Sequence, residues 1–156
     1  MQDGPADDVG RCGFFWLGGF MSAMTGSKAE AIANLARETR RPATRFDYSG
    51  HGQSSGAFVD GTVSAWLEQA THMFMTKTNS KRVIVGSSMG GWLALLMARL
   101  LMRDDPRHAR RIAGLVLIAP AADMTKDLMW DGFPADVRAA QEKHGHYKRP
   151  SEYHEP

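Results

Sequence analysis

The chain has 156 residues, with 19 Lys+Arg against 17 Asp+Glu and a formal net charge of +2. That length matches one domain at roughly 100–200 residues each. The small net charge and 43% hydrophobic content exclude a disordered chain, and the single cysteine, Cys12, excludes a disulfide framework or a Cys-rich zinc site.

Residues 1–12 read as a loose, acidic terminus, with Asp3, Asp7 and Asp8 and no basic cluster of the kind that opens a signal peptide. Phe14-Phe15-Trp16-Leu17 is a short apolar run closed by Gly18-Gly19, the pattern of a strand and its terminating turn. Ser27 is placed to cap a helix running to about Arg41, since Ala29, Ile32, Ala33 and Ala36 follow the 3.6-residue period and Pro42 stops it. Thr44–Tyr48 is a second strand, and the Gly-rich stretch Ser49–Gly56 is a loop. A second helix runs from about Thr62 to Lys77, with Val63, Trp66, Leu67, Ala70, Met73 and Phe74 on one face.

Arg82–Val85 is a third strand. The helix that follows, Gly90–Arg103, is apolar nearly all round, which predicts burial in the middle of the protein. Ile112–Ala119 is a fourth strand ended by Pro120. Short apolar strands alternating with helices define an α/β fold over residues 13–122, a short parallel sheet with helices on both faces. Beyond it, residues 123–156 mix Met124, Leu128, Met129, Trp130 and Phe133 with charges, open a helix at Pro134 that ends near His144, and finish in a polar tail.

The basic stretch Arg103–Arg111 is interrupted by Asp104 and Asp105 and has no interleaved aromatics, so it reads as a solvated helix end and not as a nucleic-acid surface. The apolar runs Phe14–Met21 and Trp92–Met102 are too short to span a bilayer at about 20 residues. These features predict a soluble, cytoplasmic protein.

The segment that carries chemistry is Gly86-Ser87-Ser88-Met89-Gly90, a Gly-x-Ser-x-Gly pattern between a predicted strand and a predicted helix. A nucleophilic serine at so sharp a turn sits in a strained backbone conformation. Its neighbours two positions either side approach closely, and glycine removes the Cβ that would clash. Ser88 has glycine at both places, whereas Ser87 has Val85 and Met89, so Ser88 is the candidate nucleophile. The helix start places the Met89 N–H where an oxyanion forms. A second donor is expected from Leu17-Gly18-Gly19-Phe20-Met21, with the Phe20 N–H as first choice and Met21 as the alternative. Taken alone, the Gly18-Gly19 pair and the five-residue pattern also fit an ordinary strand-ending turn and a plain strand-to-helix turn with a buried serine.

The blocks Leu17-Gly18-Gly19-Phe20-Met21-Ser22, Arg45-Phe46-Asp47-Tyr48-Ser49-Gly50-His51-Gly52-Gln53-Ser54 and Val85-Gly86-Ser87-Ser88-Met89-Gly90-Gly91-Trp92 resemble the α/β-hydrolase superfamily. Together with Asp123–Leu128 and Pro150–Tyr153, they resemble its branch of bacterial and mitochondrial acyl-protein thioesterases and acyl-glucuronide esterases. The resemblance implies a serine hydrolase of carboxylic esters or thioesters, small-molecule or acyl-protein, with no metal or cofactor. It also implies a sheet order of second strand, first, third, fourth, and a cap region beginning at residue 123. A mitochondrial matrix location would apply to a eukaryotic source.

The family takes its nucleophile, acid and histidine in that chain order, and the last two lie beyond the fourth strand. The chain therefore reads as the central part of a hydrolase, truncated at both ends, with weak or no turnover alone. Its exposed sheet edges predict self-association. Asp123 is the one acid in a suggestive position, with a helix or turn cap as its other role. His51 lies in the Gly-rich turn, His72 on a helix, His108 in a basic loop, and His144, His146 and His154 in the tail; none is expected to reach Ser88 Oγ, with His51 the main exception because its loop follows the second strand and opens on the same sheet edge as Ser88. A catalytically inactive scaffold or interaction module is the alternative function, and a subunit completed by another chain is a third reading.

Overall fold

The computed structural model describes residues 1–3 and 10–144. They fall in two units, Met1–Ala122 and Asp123–Pro156. The first contains β1 (Gln2–Asp3), β2 (Gly13–Leu17), α1 (Ser27–Glu38), β3 (Ala43–Thr44), a 3-10 turn (Phe58–Asp60), α2 (Val63–Lys77), β4 (Arg82–Ser87), α3 (Met89–Asp104), α4 (Pro106–Ala109) and β5 (Ile112–Ile118). The second contains a π-helical segment, Met124–Trp130, and α5 (Ala135–His144).

The sheet order is β1-β3-β2-β4-β5. The four strands from β3 to β5 are parallel and stand in the order that the resemblance implies. Strand alternation then gives the sheet two apolar faces. Phe14 and Trp16 on β2 pair with Val83 and Val85 on β4, and this face packs on Ala29 and Ile32 of α1. Phe15 and its partner Ile84 point the other way, where the Phe15 ring meets Phe74 of α2 edge-on at 5.4 Å.

Several expectations need correction. The first residues are not loose, because Gln2–Asp3 pair antiparallel with β3 and make the sheet mixed. Asp3 accepts from buried Arg45 at 2.7 Å, so an ion pair between residues 42 positions apart ties down the start of the chain. One of the two exposed edges predicted for the sheet is thereby covered. The strand expected over Thr44–Tyr48 shrinks to Ala43–Thr44. Just beyond it Arg45 still pairs with Met1 through its N–H and carbonyl, and farther on side chains hold the loop: the Asp47 carboxylate accepts from Met24 N–H at 2.6 Å and Gln53 N–H at 2.9 Å, and Ser54 donates to the Asp47 carbonyl. The residue before α1 is Gly26, not Ser27, and no side chain caps that helix. Thr62 does cap α2, accepting from Ala65 N–H.

α3 is not buried all round. Leu93, Ala94, Met97 and Leu101 face inward, while Leu95 and Met102 are exposed. β5 is further uncovered: none of Ile112–Ile118 is buried, and Val116 and Ile118 are 49% and 36% exposed. These two lie beside Val85 and Ser87, on the face that α1 covers farther along the sheet. Gly114, in the same row, has nothing within 4 Å of the place where a Cβ would stand.

In the second unit, Asp123 precedes the π-helical segment at φ +52° and makes no side-chain cap. Its carbonyl accepts from Lys126 and Asp127. Pro150–Tyr153, His146 and His154 lie outside the described residues.

Candidate active site

β4 ends at Ser87 and α3 begins at Met89, so a single residue, Ser88, makes the reversal from strand to helix. It adopts φ +53°, ψ −119°. A positive φ is uncommon for a residue with a Cβ and costs of order 1–3 kcal/mol, so the turn must be held from outside. The Ser88 N–H donates to the Ile118 carbonyl at 2.9 Å, and the Ser88 carbonyl accepts from Gly91, Trp92 and Ala121. The end of β5 and the residues just after it therefore bracket Ser88 from both sides.

The two glycines answer the spacing argument directly. A Cβ on Gly86 would stand 2.4 Å from the Gly90 carbonyl oxygen, and one on Gly90 would stand 2.1 Å from that of Leu17. The turn thus closes on itself and on the end of β2. The loop after β2 continues past the serine: a Cβ at Gly19 would lie 3.4 Å from Ser88 Cβ. Ser88 is partly exposed, and its Oγ makes no hydrogen bond among the described residues.

Three N–H groups bear on the oxyanion expectation. Met89, as the first residue of α3, has no intrahelical partner for its N–H, and none is supplied by the described residues. The Phe20 N–H is likewise without a partner among them. The Met21 N–H is occupied, donating to His51 Nε2 at 3.3 Å.

The histidines behave in three ways. His51 is buried, with Nε2 on Met21 and Nδ1 3.1 Å from the Ser49 carbonyl, so both nitrogens are engaged away from Ser88 Oγ. His108 pairs with Asp105 at 2.5 Å, beside the start of α4. His72 is exposed on α2. Around His51 stand Tyr48, Phe58 and Trp66 at 5.6, 5.2 and 5.0 Å between ring centres. Burial pushes the Tyr48 phenol up, which keeps it neutral. The link between His51 and Met21 crosses 30 residues of sequence. Only the Gly50-His51-Gly52 turn hinted at it, and that turn reads equally well as loop architecture.

No group of three or more His, Cys, Asp or Glu among the described residues is arranged to hold a metal. No helix among them is long and apolar enough to cross a membrane.

A mainly parallel sheet with helices on both faces, and a serine at positive φ between strand and helix, define the architecture of an α/β hydrolase. The model of the Alpha/beta hydrolase family matches residues 13–155, and the chain belongs to that family. Among curated proteins it is similar to the human mitochondrial palmitoyl-protein thioesterase ABHD10, at 31% identity over 143 residues, covering 92% of this chain and 44% of that protein. Among solved structures it is similar to a putative hydrolase from Agrobacterium vitis S4, with a TM-score of 0.85 and 42% identity over 98% of this chain and 58% of that one. Mouse alpha/beta hydrolase domain-containing protein 10 follows with a TM-score of 0.75 and 28% identity, over 98% of this chain and 56% of that one. The chain thus spans less than half the length of this curated relative.

Proposed function

We propose that the protein is a serine hydrolase of carboxylic esters and thioesters, acting through an acyl-enzyme on Ser88. The observation that carries this reading is Ser88 itself, a non-glycine residue at φ +53° on the tip of the β4–α3 turn, with unpartnered N–H groups at Phe20 and Met89. Ser88 Oγ attacks the acyl carbon and gives its proton to a base, solvent water where no side chain serves. The carbonyl oxygen becomes an oxyanion held by the Phe20 and Met89 amides, and collapse breaks the bond to the leaving oxygen or sulfur, which takes up that proton and departs as the alcohol or thiol. The Met21 amide takes no part, because His51 holds it. Water then repeats the sequence on the acyl-enzyme. Preorganised donors of this kind are each worth about 10²–10³ in rate. The thioester half of the proposal draws on the similarity to ABHD10, a palmitoyl-protein thioesterase.

Among the described residues no histidine or carboxylate bonds to Ser88 Oγ. An unactivated hydroxyl is a weak nucleophile, so acylation of this chain is expected to be slow. A fluorophosphonate probe should form an adduct at Ser88, located by mass spectrometry and abolished in Ser88→Ala. A panel of p-nitrophenyl esters and acyl thioesters would then rank substrates. That no base bonds Ser88 Oγ among the described residues also favours a second reading, a scaffold with no turnover. Complete absence of Ser88-dependent labelling would decide for the scaffold.

A further inference from the structure

Ser49 offers His51 only a carbonyl oxygen, which already accepts from Trp66 Nε1 at 3.2 Å. A carbonyl cannot donate, so His51 Nδ1, 3.1 Å away, carries the ring proton. Nε2 is then a bare lone pair, and the group facing it is the Met21 N–H at 3.3 Å. Both contacts are satisfied only by the neutral ring protonated at Nδ1. The rings of Tyr48, Phe58 and Trp66 enclose it and fix its plane.

Met21 needs such a hold. It stands at φ +57°, in the left-handed region that a side chain disfavours. Ser22 N–H closes the turn on the Gly19 carbonyl at 3.2 Å. Between these two bonds lies Phe20, whose ring packs edge-on against Phe58 at 4.9 Å and Trp66 at 6.0 Å. The Phe20 side chain and the Met21 amide are therefore anchored on the same aromatic group that holds His51. What this leaves without a partner is the Phe20 N–H, one residue from Gly19, where the loop lies against Ser88.

We propose that His51 is a positioning residue for oxyanion binding: by accepting the Met21 N–H at Nε2 it locks the loop after β2 in the one conformation that leaves the Phe20 N–H free beside Ser88. This rests on the reading of Ser88 as nucleophile. His51 exchanges no proton with substrate and touches no reacting atom. It selects which of two successive amides faces the reaction.

Two variants of the full chain separate this role from a structural one. Gln can place an acceptor where Nε2 stands but not a donor where Nδ1 stands, and Asn does the reverse. If the acceptor for Met21 matters, His51→Asn slows Ser88-dependent fluorophosphonate labelling about 10²-fold, the loss expected for one oxyanion donor. His51→Gln then recovers most of that loss. If His51 merely staples the loop through Ser49, the ranking inverts, with Asn tolerated and Gln impaired; that result, or equal rates for both, overturns the proposal. Nitrogen-15 spectra supply a readout independent of turnover. The neutral His51 ring should carry its proton on Nδ1, and the Met21 amide resonance should move in His51→Asn and stay near its parent position in His51→Gln. A proton on Nε2, or a Met21 amide indifferent to both variants, also overturns it. Labelling that does not depend on Ser88 refutes the serine-hydrolase reading instead, and the hold of His51 on the loop is then decided by the spectra.

Discussion

Gly90→Ala tests the closure of the β4–α3 turn against β2 with opposing terms of known sign. Alanine in place of glycine inside a helix ordinarily gains about 1 kcal/mol. Here the new Cβ would stand 2.1 Å from the Leu17 carbonyl oxygen and 2.5 Å from that of Gly18. Both obstacles are backbone, so no rotamer change relieves them. β2 or the start of α3 must move by more than 1 Å before the closer contact reaches an ordinary distance. Overpacking of this kind costs about 1–3 kcal/mol, and backbone obstacles put it at the upper end. The net loss after the helix gain is about 2 kcal/mol, or roughly 4–8 °C in melting temperature for a domain of this size. A misplacement near 1 Å should also cut Ser88 labelling by about 10². Gly114→Ala is the control: nothing lies within 4 Å of its Cβ position, and relief of glycine's entropy cost in a strand predicts a gain of up to about 0.5–1 kcal/mol. Thermal unfolding followed by circular dichroism reads both. A Gly90→Ala variant that melts at or above the parent temperature would refute the argument.

Arg45→Ala should lower stability by about 3 kcal/mol in urea unfolding, because it leaves buried Asp3 only the longer pair with Arg37 at 3.5 Å and removes the pair with Glu30 and the bond to the Met24 carbonyl; a loss under about 1 kcal/mol would mean that the cluster behaves as a surface pair. Val116→Lys, on the uncovered face of β5, should leave the melting temperature within about 2 °C, as for an ordinary surface change, and reduce any concentration-dependent association seen by ultracentrifugation; undiminished association would place the contact elsewhere. The His108 backbone N–H, and then its ring, hold the Asp105 carboxyl below the ordinary aspartate value. The stabilisation of α4 by Asp105 is therefore present above the unfolded-state pKa and lost as pH falls through the lower folded value; carbon-13 titration of the Asp105 carboxyl at or above the ordinary value would reject that sign.

What the sequence makes legible is local. The β4–Ser88–α3 turn is written in five consecutive residues, because the clash that demands glycine at positions 86 and 90 arises within the turn and at the adjoining end of β2. The face of α2 is read from one helical period, and buried Trp66, Ala70 and Phe74 follow it. Non-local contacts decide the rest. β1 depends on an ion pair between Asp3 and Arg45 that no periodicity announces. Past β3 the Asp47 carbonyl accepts from the Ser54 hydroxyl instead of from a neighbouring strand, a contact that no periodicity announces. α3 carries apolar residues on two sides, and composition alone does not tell that Leu95 and Met102 face outward. At the site, Ser88 as candidate nucleophile follows from the glycine spacing, and Phe20 and Met21 as candidate donors follow from their place in the loop after β2. The reason Met21 is unavailable does not, since it lies in the lone pair of a histidine 30 residues away.

The bracket that β5 places on Ser88 joins two parts of the molecule that look unrelated. The strained φ at the serine is sustained by the Ile118 carbonyl on one side and the Ala121 amide on the other. The first ends a strand that carries two open apolar residues, Val116 and Ile118, and the second follows that strand by three residues. When that strand frays, the bracket opens with it and the stored strain is free to relax, so the Ser88 amide and the last pairs of the β4–β5 ladder exchange their hydrogens as one cooperative unit. Whatever lies down along β5 slows that exchange, and the sharpness of the turn at Ser88 becomes a gauge of how well the far edge of the sheet is covered.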